Sequence, residues 1–137
     1  MKHIMNQTVY YADTDAYGVA WHGAYIKWME QARVEFCREL GLDLVKLKEE
    51  DSILTPVTNL SIRYNSPAKL DERITIETQV KEMTPLTIKF AQIIKSKETE
   101  QVHIIAEVEV VSVNDDGKIY RKTPDVLRLP FERAMNN

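Results

Sequence analysis

One cysteine, Cys37, is the whole thiol content of this chain, so no internal disulfide can form. The N-terminus carries no apolar run of the kind a secretion signal needs, and no stretch approaches the roughly 20 consecutive apolar residues required to cross a bilayer. Pro-, Ser- and Gly-rich linkers are absent, as is any repeat of fixed period. Lys and Arg are scattered and the net charge is −3, which leaves no basic footprint for nucleic acid and little to attract a membrane surface. Gly-x-Ser-x-Gly, the P-loop, Gly-x-Gly-x-x-Gly and metal-spaced Cys/His clusters are missing too. Together these absences predict a cytoplasmic protein with no membrane insertion, no nucleic-acid partner, no cofactor and no metal.

What is present suits a single domain. With 137 residues, 44% of them hydrophobic, residues 1–137 can build one real core but not two of ordinary size. Thr8-Val9-Tyr10-Tyr11 predicts a first strand over residues 4–12, ended by the turn signals of Asp13 to Gly18. From Ala24 the period becomes helical. Tyr25, Trp28, Met29, Ala32, Phe36 and Leu40 form one apolar stripe, Lys27, Glu30, Arg33, Glu35 and Arg38 lie off it, and Gly41 stops the helix. Leu42 to Glu50 is expected as a short second helix. Thr55 to Tyr64, Arg73 to Glu82, Leu86 to Lys95 and Val102 to Val113 then alternate with period two. Turn signals at Ser66-Pro67, Thr84-Pro85, Lys97 to Glu100 and Asp115-Asp116-Gly117 separate or end them, and the short gaps at Thr84-Pro85 and Lys97 call for antiparallel hairpins. The order predicts an α+β fold: one long helix burying its stripe against a curved antiparallel sheet of five or so strands.

The stretch from Asp13 to Tyr25 concentrates chemistry at the start of that helix. Two carboxylates, Asp13 and Asp15, precede Gly18 and His22, with Tyr17, Trp21 and Tyr25 interleaved. Asp, Thr and Gly before a helix are also ordinary capping and turn residues. A helix start, however, offers free N–H groups and a positive dipole end that can hold an oxygen gaining negative charge, and a neighbouring carboxylate supplies a base or nucleophile.

The pattern Asp13-Thr-Asp15, Gly18-Val19, His22, Tyr25 resembles the entry motif of hotdog-fold acyl-CoA thioesterases of the 4-hydroxybenzoyl-CoA thioesterase type, closest to the branch associated with the Tol–Pal system. Tyr64-Asn-Ser-Pro67-Ala68-Lys-Leu-Asp71 is similar to that branch's Tyr-x-x-Pro-Ala-x-x-Asp segment between the second and third strands. Glu30-Gln-Ala-Arg33 matches a recurring helical element. The resemblance implies the hotdog fold and hydrolysis of an acyl-CoA thioester without a cofactor. It places the catalytic carboxylate at Asp15 and a carbonyl-polarising backbone N–H at His22, whose ring is near enough to assist. Gly18 and Val19 become the loop approaching the acyl group, and Tyr17, Trp21 and Tyr25 its lining. It further implies a homodimer or homotetramer with sheets joined edge to edge and sites at the subunit boundary.

Other residues have plainer expected uses. Asp13 is a turn or capping residue. Glu30 could act from the helix, but Arg33 three residues on points to a surface ion pair. His3 and His103 are expected to be structural or solvent-facing, and Cys37 a small buried hydrophobe. Arg63, Lys69, Arg121 and Lys122 could meet CoA phosphates or could be solvated charges. Hydratases of this fold carry Asp and His five residues apart in an Asn-Pro context, whereas Asp15 and His22 are seven apart. A regulator would bring a DNA-binding segment, for which neither end of the sequence has room. A non-catalytic acyl-CoA-binding or lipid-metabolism interaction module is the alternative. Short, long and aromatic acyl groups are all compatible with the sequence.

Overall fold

A computed structural model describes residues 1–137. Its elements run β1 (His3–Thr8), a single 3-10 turn at Tyr11–Asp13, α1 (His22–Glu39), α2 (Leu44–Asp51), β2 (Val57–Tyr64), β3 (Arg73–Met83), β4 (Thr87–Ser96), β5 (Val102–Val111) and α3 (Asp125–Asn136). The five strands form one antiparallel sheet in the order β1-β3-β4-β5-β2. The fold is α+β, and its sheet and central helix are those of the hotdog architecture.

The stripe read from the sequence is the face that α1 buries. Ala24, Tyr25, Trp28, Met29 and Ala32 pack on Ile74, Ile76, Ile94, Ile104 and Ala106, which are inward residues of β3, β4 and β5 at every second position. Farther along, Phe36 and Cys37 meet Val80, Ile88, Phe90, Val108 and Val110. Burial pushes the Cys37 thiol up to about 11, as for a sulfur held in apolar surroundings. Across the sheet centre, fully buried Gln92 donates to the Met29 carbonyl and to Thr78 Oγ1 at 3.0 and 2.9 Å, so its amide is satisfied without water.

Two expectations need correction, and one helix adds to them. The first strand ends at Thr8, where its register with β3 ends at Arg73. The chain then coils because the Asp13 carboxylate accepts the Tyr10 N–H at 3.0 Å. Helix α1 begins at His22, two residues before Ala24, with Trp21 as an extended N-cap. Beyond the elements expected from the sequence, the chain adds helix α3, in which Leu127, Pro130, Phe131 and Ala134 are buried at helical spacing although Pro130 sits inside the helix. A proline there forfeits one backbone hydrogen bond. The burial of its neighbours offsets that loss, and Arg128 braces the exposed side through Asp125 and Glu132, both at 2.7 Å.

Candidate active site

Backbone hydrogen bonds shape the loop that carries the acidic pair. Asp15 N–H donates to the Val19 carbonyl at 2.9 Å, Gly18 N–H to the Asp15 carbonyl at 3.1 Å, and Tyr17 N–H to Asp15 Oδ1 at 2.8 Å. Gly18 takes φ +76°, a conformation that a Cβ disfavours. This tight turn is pinned to the β2–β3 connection, since Ala20 N–H donates to the Ala68 carbonyl at 2.8 Å and Val19 pairs with Lys69. The two carboxylates separate cleanly. Asp13 is buried and committed to Tyr10, whereas Asp15 is exposed with its second oxygen free of protein partners.

Asp15, His22 and Tyr25 line one cleft of about 330 Å³, closed on the other side by Tyr64, Ser66 and Pro67. Tyr64 Oη donates to the His22 carbonyl at 3.2 Å, and its ring meets that of Tyr25 edge-on. No side chain caps α1, so the first N–H groups, those of His22 and Gly23, are left for another acceptor at the positive end of an 18-residue helix. The Trp21 ring lies over Gly23, where a Cβ would come within 2.1 Å of it, so only glycine lets the indole fold onto the helix start. The structure thus brings Asp15, His22 and Tyr25 together. Gly18 and Val19 form the turn behind Asp15, Trp21 covers the first turn of α1, and Tyr17 points away, 89% exposed.

The motif Tyr64 to Asp71 is what the sequence under-used. It supplies the opposite wall, and its anchors are internal to the chain. Ala68 N–H donates to Tyr25 Oη at 3.0 Å, and burial pushes the Tyr25 phenol up. Tyr25→Phe leaves that buried N–H without an acceptor. It is expected to lower stability by about 1–2 kcal/mol in urea denaturation, with the connection loosened before the sheet. A second anchor is His103, 1% exposed on β5, which contacts Glu72 through Nε2 and Ser66 Oγ through Nδ1 at 2.9 Å. Ser66, His103 and Glu72 have the connectivity of a nucleophile triad. The Ser66 hydroxyl, however, already donates to the Val102 carbonyl at 2.8 Å, so the cluster is a brace. His103 is structural, as expected, but it does not stand alone.

Arg33 departs from expectation. It makes no ion pair with Glu30; it is half-buried and donates to Gln92 Oε1 at 3.0 Å. Arg63, Lys69, Arg121 and Lys122 are all exposed.

A carboxylate with a free oxygen and the uncapped start of a helix thus line the same cleft. Comparison with known proteins decides the lineage, because the thioesterase-like superfamily profile matches residues 9–131. The chain belongs to the thioesterase-like superfamily. The acyl-CoA thioesterase YbgC of Haemophilus influenzae is 43% identical over 84 residues, 61% of this chain and 62% of that protein. The acyl-CoA thioester hydrolase YbgC of Escherichia coli O6:H1 is 35% identical over 106 residues, 77% of this chain and 78% of that one. The crystal structure of Slr0204, a 1,4-dihydroxy-2-naphthoyl-CoA thioesterase from Synechocystis, superposes with a TM-score of 0.86. At 20% identity it covers 100% of this chain and 97% of the other, and so shares the fold. No helix of this superfamily member is long and apolar enough to cross a membrane.

Proposed function

We propose that this chain hydrolyses acyl-CoA thioesters, with Asp15 as the catalytic carboxylate and the N–H groups at the start of α1 as the oxyanion site. The observation that carries the reading is that Asp15, which keeps one carboxylate oxygen free of protein partners, and His22, at the uncapped start of α1, line one cleft. The thioester carbonyl rests against the His22 end of the helix, and its oxygen gains charge as Asp15 attacks or draws a proton from water. Losing one such donor typically costs about 3 kcal/mol of transition-state stabilisation. The leaving thiolate, with a parent thiol pKa of roughly 8.5 by analogy with cysteine, departs with little help from an acid. No serine triad is needed. The YbgC relatives, acyl-CoA thioesterases by name, support the substrate class.

The test is thiol release over a panel of short, long and aromatic acyl-CoA substrates, run on the native chain and on Asp15→Asn. Release from none of them by the native protein overturns the reading. An ¹⁸O-water single-turnover experiment tests the nucleophile role of Asp15, because water that opens an acyl–Asp15 anhydride at the Asp15 carbonyl leaves label in that carboxylate, whereas a base sends the water oxygen to the product acid alone.

The assembly follows from β2. This edge strand pairs only with β5, and its residues Val57, Leu60 and Tyr64 are 47%, 38% and 48% exposed on the side where β5 places Val110, Val108 and Ile104. An edge with unpaired backbone groups and an uncovered apolar row suits a second copy of the chain, giving a homodimer. Leu60→Asp is expected to convert the dimer to monomer in analytical ultracentrifugation.

A further inference from the structure

One buried imidazole reaches both walls of the Asp15 cleft. The Nδ1 of His103 lies 2.9 Å from Ser66 Oγ and 3.1 Å from the Ser66 carbonyl oxygen. The one hydrogen of the Ser66 hydroxyl goes to the Val102 carbonyl, and a carbonyl can only accept, so Nδ1 carries a proton and donates to Ser66. On the other side of the ring Nε2 meets Oε2 of Glu72, where two lone pairs would repel, so a shared proton joins them. Ser66 belongs to the cleft wall, and Glu72 leads the other way.

The route from Glu72 to Asp15 is a short series of hydrogen bonds. Glu72 Oε1 accepts the Lys69 N–H at 3.2 Å, and the Glu72 N–H returns to the Lys69 carbonyl at 3.0 Å, which closes a tight turn. Asp71 inside that turn has φ +69°, a left-handed conformation disfavoured by its Cβ and kept only by the contacts around it. This turn carries the Asp15 loop. Leu70 N–H donates to the Gly18 carbonyl at 3.3 Å, Val19 pairs with Lys69, and the Asp15 N–H donates to the Val19 carbonyl at 2.9 Å.

We propose that His103 is a positioning residue for the reaction at Asp15: its Glu72 arm fixes the turn that carries the carboxylate, and its Ser66 arm fixes the wall against which the substrate lies. This rests on the hydrolytic reading of Asp15. An imidazole suits the place because its two nitrogens sit on one rigid ring and set the spacing of both walls at once. Without the ring, the Glu72 side chain, 21% exposed, turns out to water and releases the Lys69 N–H. A misplacement of about 1 Å can cost a reaction about 10²-fold in rate. Slack in this turn therefore reads out as lost turnover while the sheet and α1 persist.

The two arms can be cut separately, because an Asn amide reaches the place of Nδ1 and a Gln amide that of Nε2. His103→Asn keeps the donor to Ser66 and loses Glu72, so kcat for thiol release is expected to fall about 10- to 100-fold with little change in KM. His103→Gln keeps Glu72 and loses Ser66, so KM is expected to rise about fivefold, the usual worth of one hydrogen bond, with kcat largely kept. A merely structural role would lower apparent kcat in both variants at unchanged KM, and that outcome overturns the proposal, as does native kcat in His103→Asn. Glu72→Ala is expected to match His103→Asn, and the double variant to be no worse than either, because both cut the same route. Glu72→Gln, which keeps an oxygen for the Lys69 N–H and an amide for the ring, is expected to recover most of the lost kcat. If the His103 variants fail to fold, the Glu72 pair decides, and native kcat in Glu72→Ala refutes the route. Amide hydrogen exchange reads the same link without turnover. The Asp15 and Lys69 N–H groups are expected to exchange about fivefold faster in His103→Asn than in the native chain. Unchanged exchange overturns the proposal, whereas faster exchange in a protein that releases no thiol upholds the link and refutes the hydrolytic reading.

Discussion

Asp15→Asn is expected to lower kcat for acyl-CoA hydrolysis by about 10²–10⁴-fold, the range associated with removal of a positioned base, and to leave the fold intact. Geometry makes this a clean experiment. Asparagine keeps the Oδ1 that accepts Tyr17 N–H, so the turn through Gly18 retains its hydrogen bonds. The position is exposed, and surface changes that break nothing stay within about 0.5 kcal/mol of native stability. What is lost is the carboxylate oxygen that has no protein partner. The N–H groups of His22 and Gly23 remain, so KM is expected to change much less than kcat, and the residual rate reports what the helix start contributes alone. Asp13→Ala is the contrasting variant. Its carboxylate is spent on Tyr10 N–H, so the main loss is about 1 kcal/mol of stability with catalysis largely kept. Full activity in Asp15→Asn, or a catalytic loss in Asp13→Ala as large as that expected of Asp15→Asn, would reverse the assignment of the two carboxylates.

The second large effect is structural. Phe131→Ala is expected to cost about 3–5 kcal/mol, the range for deleting a buried aromatic ring, read as a drop of roughly 10 °C or more in Tm. Phe131 is 2% exposed and meets Phe36 and Phe90 at ring-centroid distances of 6.2 and 5.5 Å, so it joins α3 to both α1 and the sheet. Leu127 beside it is fully buried, which limits how far α3 can settle into the space left. Exposed Leu129→Ala on the same helix controls for helix propensity and is expected to change stability by about 0.5 kcal/mol or less. An equally small effect of Phe131→Ala would mean that α3 is an appendage rather than part of the core.

Most of the architecture was legible in the residue pattern because two periods carry it. The stripe from Tyr25 to Phe36 marks the one face that a helix must bury, and the alternation in β3, β4 and β5 shows which face of the sheet covers it. Helix α3 was not legible. Pro130 counts against a helix in any local reading, and only the apolar space between α1 and the sheet makes that helix favourable. The two ends of the site differ in the same way. Asp15 and His22 stand out by spacing before a helix, whereas Tyr64, Ser66 and Pro67 reach the cleft through contacts across some forty residues, such as Tyr64 with His22 and Ala68 with Tyr25. Arg33 shows the limit most sharply. Three residues after Glu30 it reads as half of a surface ion pair, yet the packing of α1 turns it toward Gln92 in the sheet.

By itself, then, the sequence determined the fold class, the order of elements as far as β5, the family, and the acidic pair before the long helix, all of which are written in local spacing and motif. The tertiary structure alone decided which carboxylate is free, which wall closes the cleft, that α3 completes the core and that Arg33 stands without an anion. The physical reason is that burial and hydrogen-bond partnership belong to pairs of groups brought together by the whole fold. A side chain's neighbours in sequence do not reveal whether its charge will be solvated, paired or left facing a cavity.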